Sequence, residues 1–270
     1  AEFIIDVFNM KKTGNWHDGK KDKTNILHFT NTWQEISTKY QKNEDVLIFA
    51  DEVSRDFKLT GETVHAVKST TLKIIKKKFT IISGRSGAGK TTLLNIISGI
   101  DKPSGGRVLF DGKNLANFSE KELTELRKTT LGIVFQSFSL LPLLSAYENV
   151  ELPLRINGVN SKERKERTVE LLSLVGLSHR YSHRPYELSG GEQQRVAIAR
   201  ALSTKPSVII ADEPTGQLDS NNTENVFGIF RNMIEEYDST VILTTHDSRM
   251  MGYADKLFEI NSGNLREIDI

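Results

Sequence analysis

The stretch GRSGAGKT, Gly84 to Thr91, constrains this chain more than any other. It follows the apolar run FTIIS (79–83) and precedes an apolar-periodic segment that reaches Ile97 and stops at Gly99. Its spacing, G-x-x-x-x-G-K-[ST], calls for a strand that runs into a loop and then into a helix. The glycines at 84, 87 and 89 permit positive φ and bring backbone N–H groups, with the positive end of the helix dipole, to one point where a phosphate fits. Lys90 would set a point charge on β/γ-phosphate oxygens, and the Thr91 hydroxyl could coordinate Mg²⁺. Arg85, Ser86, Ala88 and Thr92 complete the candidate phosphate-binding segment.

The rest of the chain supplies the strands and helices such a loop needs. VLIFADEV (46–53) and TVHAVKSTTLKII (63–75) read as strands, and GGRVLFDGKNL as two short strands about a turn. Ser119 with Glu122, and Ser145 with Glu148, stand at capping-box spacing before helices. LGIVFQ, SVIIAD (207–212) and TVILTT (240–245) are apolar runs of the kind covered on both faces in parallel sheets. A helix is expected from about 220 to 236, and KLFEI and LREIDI around NSGN form a closing hairpin. Strands alternating with helices indicate an α/β core. Between 137 and 205 the strand signals vanish, and KERKERTVELLSLVG reads as an amphipathic helix stopped by Gly176, so this stretch is taken as a helical insertion. Residues 1–45 differ: KKTGNWHDGKKDKTN is polar and turn-rich, and the segment reads as an N-terminal extension with a flexible middle. A chain that begins with Ala1 reads as processed, tagged or a fragment.

Bulk composition narrows the function classes. Thirty-six basic against 35 acidic side chains give a formal charge of +1, without the basic bias of nucleic-acid binders, so no nucleic-acid partner is expected. No cysteine is present, which excludes disulfides and thiolate metal sites. No run of about 18 apolar residues suggests a membrane span, and no signal peptide is evident.

Four further segments carry chemistry. VIIADE ends a buried strand with Asp212 and Glu213, where α/β sheets bind ligands. Asp212 would hold Mg²⁺, and Glu213 would polarise a water for in-line attack. Gln136 and His246 likewise end buried strands and could reach a γ-phosphate. Gln136 would touch Mg²⁺ or the attacking water, while His246 would hydrogen-bond the phosphate or orient Glu213. Finally, YELSGGEQQRVAIARAL (186–202) opens a helix with a serine and two glycines, a second anion-type site. Ser189 and Glu192 also fit a capping box on that helix.

Taken together, these segments resemble the nucleotide-binding domain of ABC transporters over about 46–270. GRSGAGKTT matches Walker A, Gln136 the Q-loop, LSGGEQQR the signature, VIIADE Walker B, GQLDS the D-loop and His246 the switch histidine, in family order. LPLLSAYENVELPL and DEPTGQLDS look most like the macrolide-export (MacB) and lipoprotein-release (LolD) subfamily. The resemblance implies a P-loop NTPase, RecA-like core (46–136 and 206–270) with an antiparallel β subdomain and an inserted α-helical subdomain (137–205). It implies ATP and Mg²⁺, and a head-to-tail dimer in which Ser189, Gly190, Gly191 and Glu192 of one copy, with Asp219 of the D-loop, complete the ATP site of the other. Glu192 departs from the common glutamine, since a carboxylate cannot donate to ribose. Phe57, just after EVSRD, stands where relatives stack adenine on an aromatic ring, and KKKFTIIS replaces a common Gly-Glu turn.

The resemblance further implies a transmembrane permease docked near 136–150 and a peripheral place on the cytoplasmic face of the cell membrane. A soluble ABC ATPase for DNA repair, chromosome structure or translation is the alternative. Against it, only about 98 residues separate Lys90 from Leu188, too few for a long coiled coil, and one ATPase domain is present. A nucleotide-regulated binding module without catalysis is a third reading, opposed by the intact Glu213 and His246.

Overall fold

A run of five buried apolar residues, Val46 to Ala50, opens the hairpin at the start of the described region. The computed structural model describes residues 45–269, so the extension expected over 1–45 lies, apart from Asp45, outside the described residues. β1 (Val46–Leu59) and β2 (Glu62–Ile75) are each 14 residues long and pair antiparallel. The strand expected to end near residue 53 therefore runs on to Leu59. β-bulges interrupt the pairing near Val53 and Arg55, where the strand bends without ending.

After β3 (Phe79–Ser83) and α1 (Lys90–Ile97), the chain forms β4 (Gly105–Phe110), β5 (Lys113–Asn114), α2 (Glu120–Thr129) and β6 (Leu131–Val134). From 137 to 205 it contains α3 (Ala146–Ile156), α4 (Ser161–Leu174) and α5 (Gly190–Leu202), and no strand. β7 (Val208–Asp212), α6 (Ser220–Tyr237), β8 (Thr240–Thr245), β9 (Lys256–Asn261) and β10 (Asn264–Ile268) follow. Among the described residues the strands build two sheets. One is antiparallel, in the order β2-β1-β4-β5. The other runs β10-β9-β3-β8-β7-β6, parallel except for β10.

The parallel sheet has an apolar layer on each face because its strands are apolar at consecutive positions. Phe79 and Ile81 of β3, Ile209 and Ala211 of β7, and Val241 and Leu243 of β8 share one core with α5 and α6. Ile82, Ile210 and Ile242 point the other way and pack with α1 and the antiparallel sheet. Phe79 stacks on Phe227 at 5.8 Å and meets Phe230 edge-on at 6.5 Å. Removing such a ring costs about 3–5 kcal/mol. Every parallel strand ends at the same edge, so Ser83, Asp212 and Thr245 come together there, as in other open α/β sheets.

Local chemistry ends the helices where the sequence indicates. Ser119/Glu122 and Ser145/Glu148 form complete capping boxes. The loop between β6 and α3 is tied down from two sides. Asn149, fully buried, accepts from Leu141 N–H and donates to the carbonyls of Leu141, Leu144 and Ser145. Arg200 of α5 donates to the carbonyls of Ser139 (2.6 Å) and Phe138 (2.9 Å). These bonds hold Phe138 and Ser139 in left-handed conformations, φ +60° and +50°. The lysine run at 76–78 makes a turn of its own, with Lys77 at φ +56° and its ammonium 2.9 Å from Asp238. Among the described residues no helix is long and apolar enough to cross a membrane.

Candidate active site

β3 passes at Ser83 into a loop whose shape its glycines dictate. Gly89 has φ +108°, and a Cβ there would lie 2.2 Å from the Ala66 carbonyl oxygen on β2. A Cβ on Gly84 would lie 2.4 Å from the Ile260 carbonyl oxygen on β9. The loop is thus wedged between two strands that close backbone approach alone can accommodate. The β9–β10 turn, with Ser262 and Gly263 both at positive φ, docks on it. Gly263 N–H donates to Ala88 O at 3.0 Å, and Lys68 N–H to Gly263 O at 2.8 Å. Lys90 is 5% exposed; its ammonium donates to the carbonyls of Gly84 (2.8 Å) and Arg85 (2.9 Å) and stands 2.9 Å from Glu213 Oε1.

Asp212 and Glu213 end β7 with different partners. Both Asp212 oxygens are claimed by hydroxyls, Oδ2 by Thr91 and Oδ1 by Thr244, each at 2.6 Å. Glu213 takes the left-handed conformation, φ +46°. That conformation costs a non-glycine residue about 1–2 kcal/mol and persists only when neighbours enforce it. The turn swings its carboxylate toward the loop. Glu213 Oε2 then lies 3.4 Å from Gln136 Nε2 and 3.4 Å from His246 Nδ1. Lys90, Gln136, Glu213 and His246 thus come from the start of α1 and from just past the ends of β6, β7 and β8.

Lys90, Thr91, Gln136 and Glu213 face one cleft of about 460 Å³, whereas Asp212 and His246 are not among its lining residues. Its walls include Ser86, Gly87, Gly89, Lys90, Thr91 and Thr92, with Gln136 and Glu213 opposite. Sequence reasoning missed Val64, His65, Ala66 and Lys68 of β2, and the Ser262–Gly263 turn, which close the cleft. The periodicity that marks β2 as a strand says nothing about which loop it lies against. Phe57 does not join the lining. It lies inside β1, opposite Val64, with the Arg55 guanidinium 4.7 Å over its ring.

Ser189, Gly190, Gly191, Glu192 and Asp219 are gathered elsewhere, in a second concavity of about 490 Å³ that shares no lining residue with the first. Here the capping box is complete. Ser189 donates to Glu192 Oε2 from its N–H (2.8 Å) and its hydroxyl (2.9 Å), and Arg180 donates to Oε1 at 2.9 Å. The Ser189 N–H first, then the Ser189 hydroxyl and Arg180, hold the Glu192 carboxyl below the ordinary range despite burial. Asp219 caps α6, and the Asn222 N–H holds its carboxyl low as well. A Cβ on Gly190 would lie 2.6 Å from Gln217 Oε1, so the signature helix begins in direct contact with the segment before α6.

The residue pattern of the ABC transporter family matches residues 67–216, more than half of the chain. This chain is a member of the ABC transporter ATP-binding family. It is 42% identical over 218 residues to an uncharacterized ABC transporter ATP-binding protein of Thermotoga maritima, covering 81% of this chain and 93% of that one. To the lipoprotein-releasing system ATP-binding protein LolD of Bacteroides thetaiotaomicron it is 43% identical over 205 residues, covering 76% and 94%. To the macrolide export ATP-binding/permease protein MacB of Brucella melitensis it is 42% identical over 219 residues, covering 81% of this chain and 34% of MacB.

Among solved structures it is similar to the ATP-binding cassette MJ0796 of Methanocaldococcus jannaschii, in a dimeric post-hydrolysis state bound to ADP and Pi. The TM-score is 0.79 at 38% identity, covering 83% of this chain and 98% of that one. The chain is thus an ABC ATPase of the LolD/MacB type with the expected α/β P-loop core, and a soluble DNA-repair role is not favoured. The dimeric relative supports a second ATPase copy as partner.

Proposed function

We propose that two copies of this chain close head-to-tail around two ATP molecules, hydrolyse them, and drive a membrane permease docked near residues 136–150. The observation that carries this reading is the meeting of Lys90, Gln136 and His246 on the single carboxylate of Glu213 beside a phosphate-type loop. ATP phosphates entering the cleft compete with Glu213 for Lys90. The ammonium passes to the β/γ oxygens, and the loop N–H groups from Ser86 to Thr92 take the remaining negative charge. Glu213, released, accepts a proton from the water that attacks the γ-phosphorus as the bond to the ADP oxygen breaks. Gln136 and His246 flank that carboxylate and orient it and the water.

The donors also suit Mg²⁺. The Thr91 hydroxyl, the Asp212 carboxylate and the Gln136 amide oxygen are hard oxygen ligands. No group of three His, Cys, Asp or Glu gathers among the described residues, consistent with a cation shared with substrate phosphates rather than caged by protein. When bound, Mg²⁺ would neutralise charge developing on the β/γ oxygens.

The second concavity supports pairing. Ser189 and the Gly190–Gly191 N–H groups lie apart from the first cleft, so they would meet a γ-phosphate held by another copy. Glu192, as a carboxylate, has no proton to donate to ribose, and both its oxygens already accept within its own subunit. Phe57 would approach adenine from the β1–β2 edge. The permease would sit on the cytoplasmic side, with this chain as a peripheral subunit.

Glu213→Gln tests the reading. It should retain MgATP binding, lower phosphate release at least about 100-fold, and accumulate an ATP-held dimer in sedimentation. Turnover at the wild-type rate would overturn it. Co-purification with a membrane protein tests the permease.

A further inference from the structure

We infer that Thr244 is a positioning residue for hydrolysis, its hydroxyl setting Asp212 and Glu213 in their working places. The inference rests on Glu213 acting on water and adds a residue that none of the recognised motifs contains. Thr244 is 0% exposed on β8 and pairs across the sheet with Asp212. Its Oγ1 donates to Asp212 Oδ1 at 2.6 Å and accepts from Glu213 N–H at 3.0 Å.

A hydroxyl has one proton to give and lone pairs to receive. Here the proton goes to a carboxylate and a lone pair goes to a backbone N–H, so the group has one orientation. Asp212 is consequently held at both oxygens, by Thr244 and by Thr91, and its carboxylate plane is set. Glu213 is the first residue past β7. The Thr244 hydroxyl, in place of a backbone carbonyl, receives its N–H just where the chain leaves the strand for φ +46°. The left-handed turn that aims the Glu213 side chain at Lys90 is thereby anchored from β8, the strand that leads into His246. The next hydroxyl along β8, Thr245 Oγ1, accepts from Asp247 N–H and serves the other side of the histidine. A valine at 244 would match the shape and suit a strand, but would leave Glu213 N–H and Asp212 Oδ1 without this partner.

Thr244→Val and Thr244→Ser, assayed by phosphate release over a range of MgATP, test the inference. Valine should lower kcat about tenfold or more, the equivalent of one lost buried hydrogen bond, with KM within about threefold. Serine should restore most of kcat. Valine at the wild-type kcat, or serine as impaired as valine, would overturn the inference. Thr244→Ala repeats the comparison should valine impair folding. In a Glu213→Gln background, Thr244→Val should leave the ATP-held dimer intact, and loss of that dimer would show that Thr244 serves binding instead. An active Glu213→Gln defeats the reading of Glu213 itself. An inactive Glu213→Gln beside a fully active Thr244→Val defeats only the inference about Thr244.

Discussion

Lys90 Nζ and Glu213 Oε1 stand 2.9 Å apart, with side chains 4% and 14% exposed. The cation proposed to hold phosphate and the carboxylate proposed to activate water hold each other in the cleft. Each is thereby compensated within the protein, which a nearly buried charge requires. Under the proposed function, substrate binding and release of the base would be one event, because phosphate oxygens would have to take Lys90 before Glu213 could turn to water.

Lys90→Ala removes the ammonium and with it three contacts, to Gly84 O, Arg85 O and Glu213. Charge-assisted bonds to phosphate are about twice as strong as neutral ones. Nucleotide affinity should fall at least about tenfold, roughly 1.4 kcal/mol. Titration calorimetry with a non-hydrolysable ATP analogue checks this, and unchanged affinity would remove Lys90 from the site.

The two loop glycines should respond differently to alanine. At Gly89 the new Cβ would face the Ala66 carbonyl at 2.2 Å with φ +108°. At Gly87, φ is +76° but no atom lies within 4 Å. Gly89→Ala should therefore destabilise by roughly 2–4 kcal/mol, and Gly87→Ala by only about 1 kcal/mol. Urea midpoints of the two variants decide it. Equal midpoints would refute the close approach of β2 to the loop.

Acid should loosen the signature helix through Glu192. Its folded carboxyl is held below the ordinary value, chiefly by the Ser189 N–H, so it stabilises the fold while ionised. That contribution is complete above the unfolded value, about 4.3, and is lost as pH falls through the lower folded value. Glu192→Gln should lower the urea midpoint at pH 7 and lose that difference in strong acid. A difference independent of pH would assign the effect to packing.

Some of this architecture is legible because it is local. Ser119/Glu122, Ser145/Glu148 and Ser189/Glu192 are three residues apart, and a capping box needs nothing more distant. The Gly84–Thr91 loop and the apolar runs before Asp212 and His246 are similarly self-contained. Other features are not local. The extent of β1 depends on bulges set by its partners β2 and β4. Phe57, placed by analogy near the base, has one face covered by the guanidinium of Arg55, a contact that no motif signals. Arg200 of α5 belongs to no local pattern that marks its partners. Its clamp on Phe138 and Ser139 spans 62 and 61 positions, and burial depresses its pKa.

Sequence alone determined which chemical groups this protein brings to a phosphate, because spacing within a loop or at a strand end is a property of a few neighbouring residues. Tertiary structure alone decided that Lys90 would face Glu213, that Thr244 would join the Asp212 carboxylate to the Glu213 N–H, and that β2 and the Ser262–Gly263 turn would wall the cleft. Those relationships join positions dozens to more than a hundred residues apart. They exist only once both faces of the parallel sheet have been buried and its strand ends aligned.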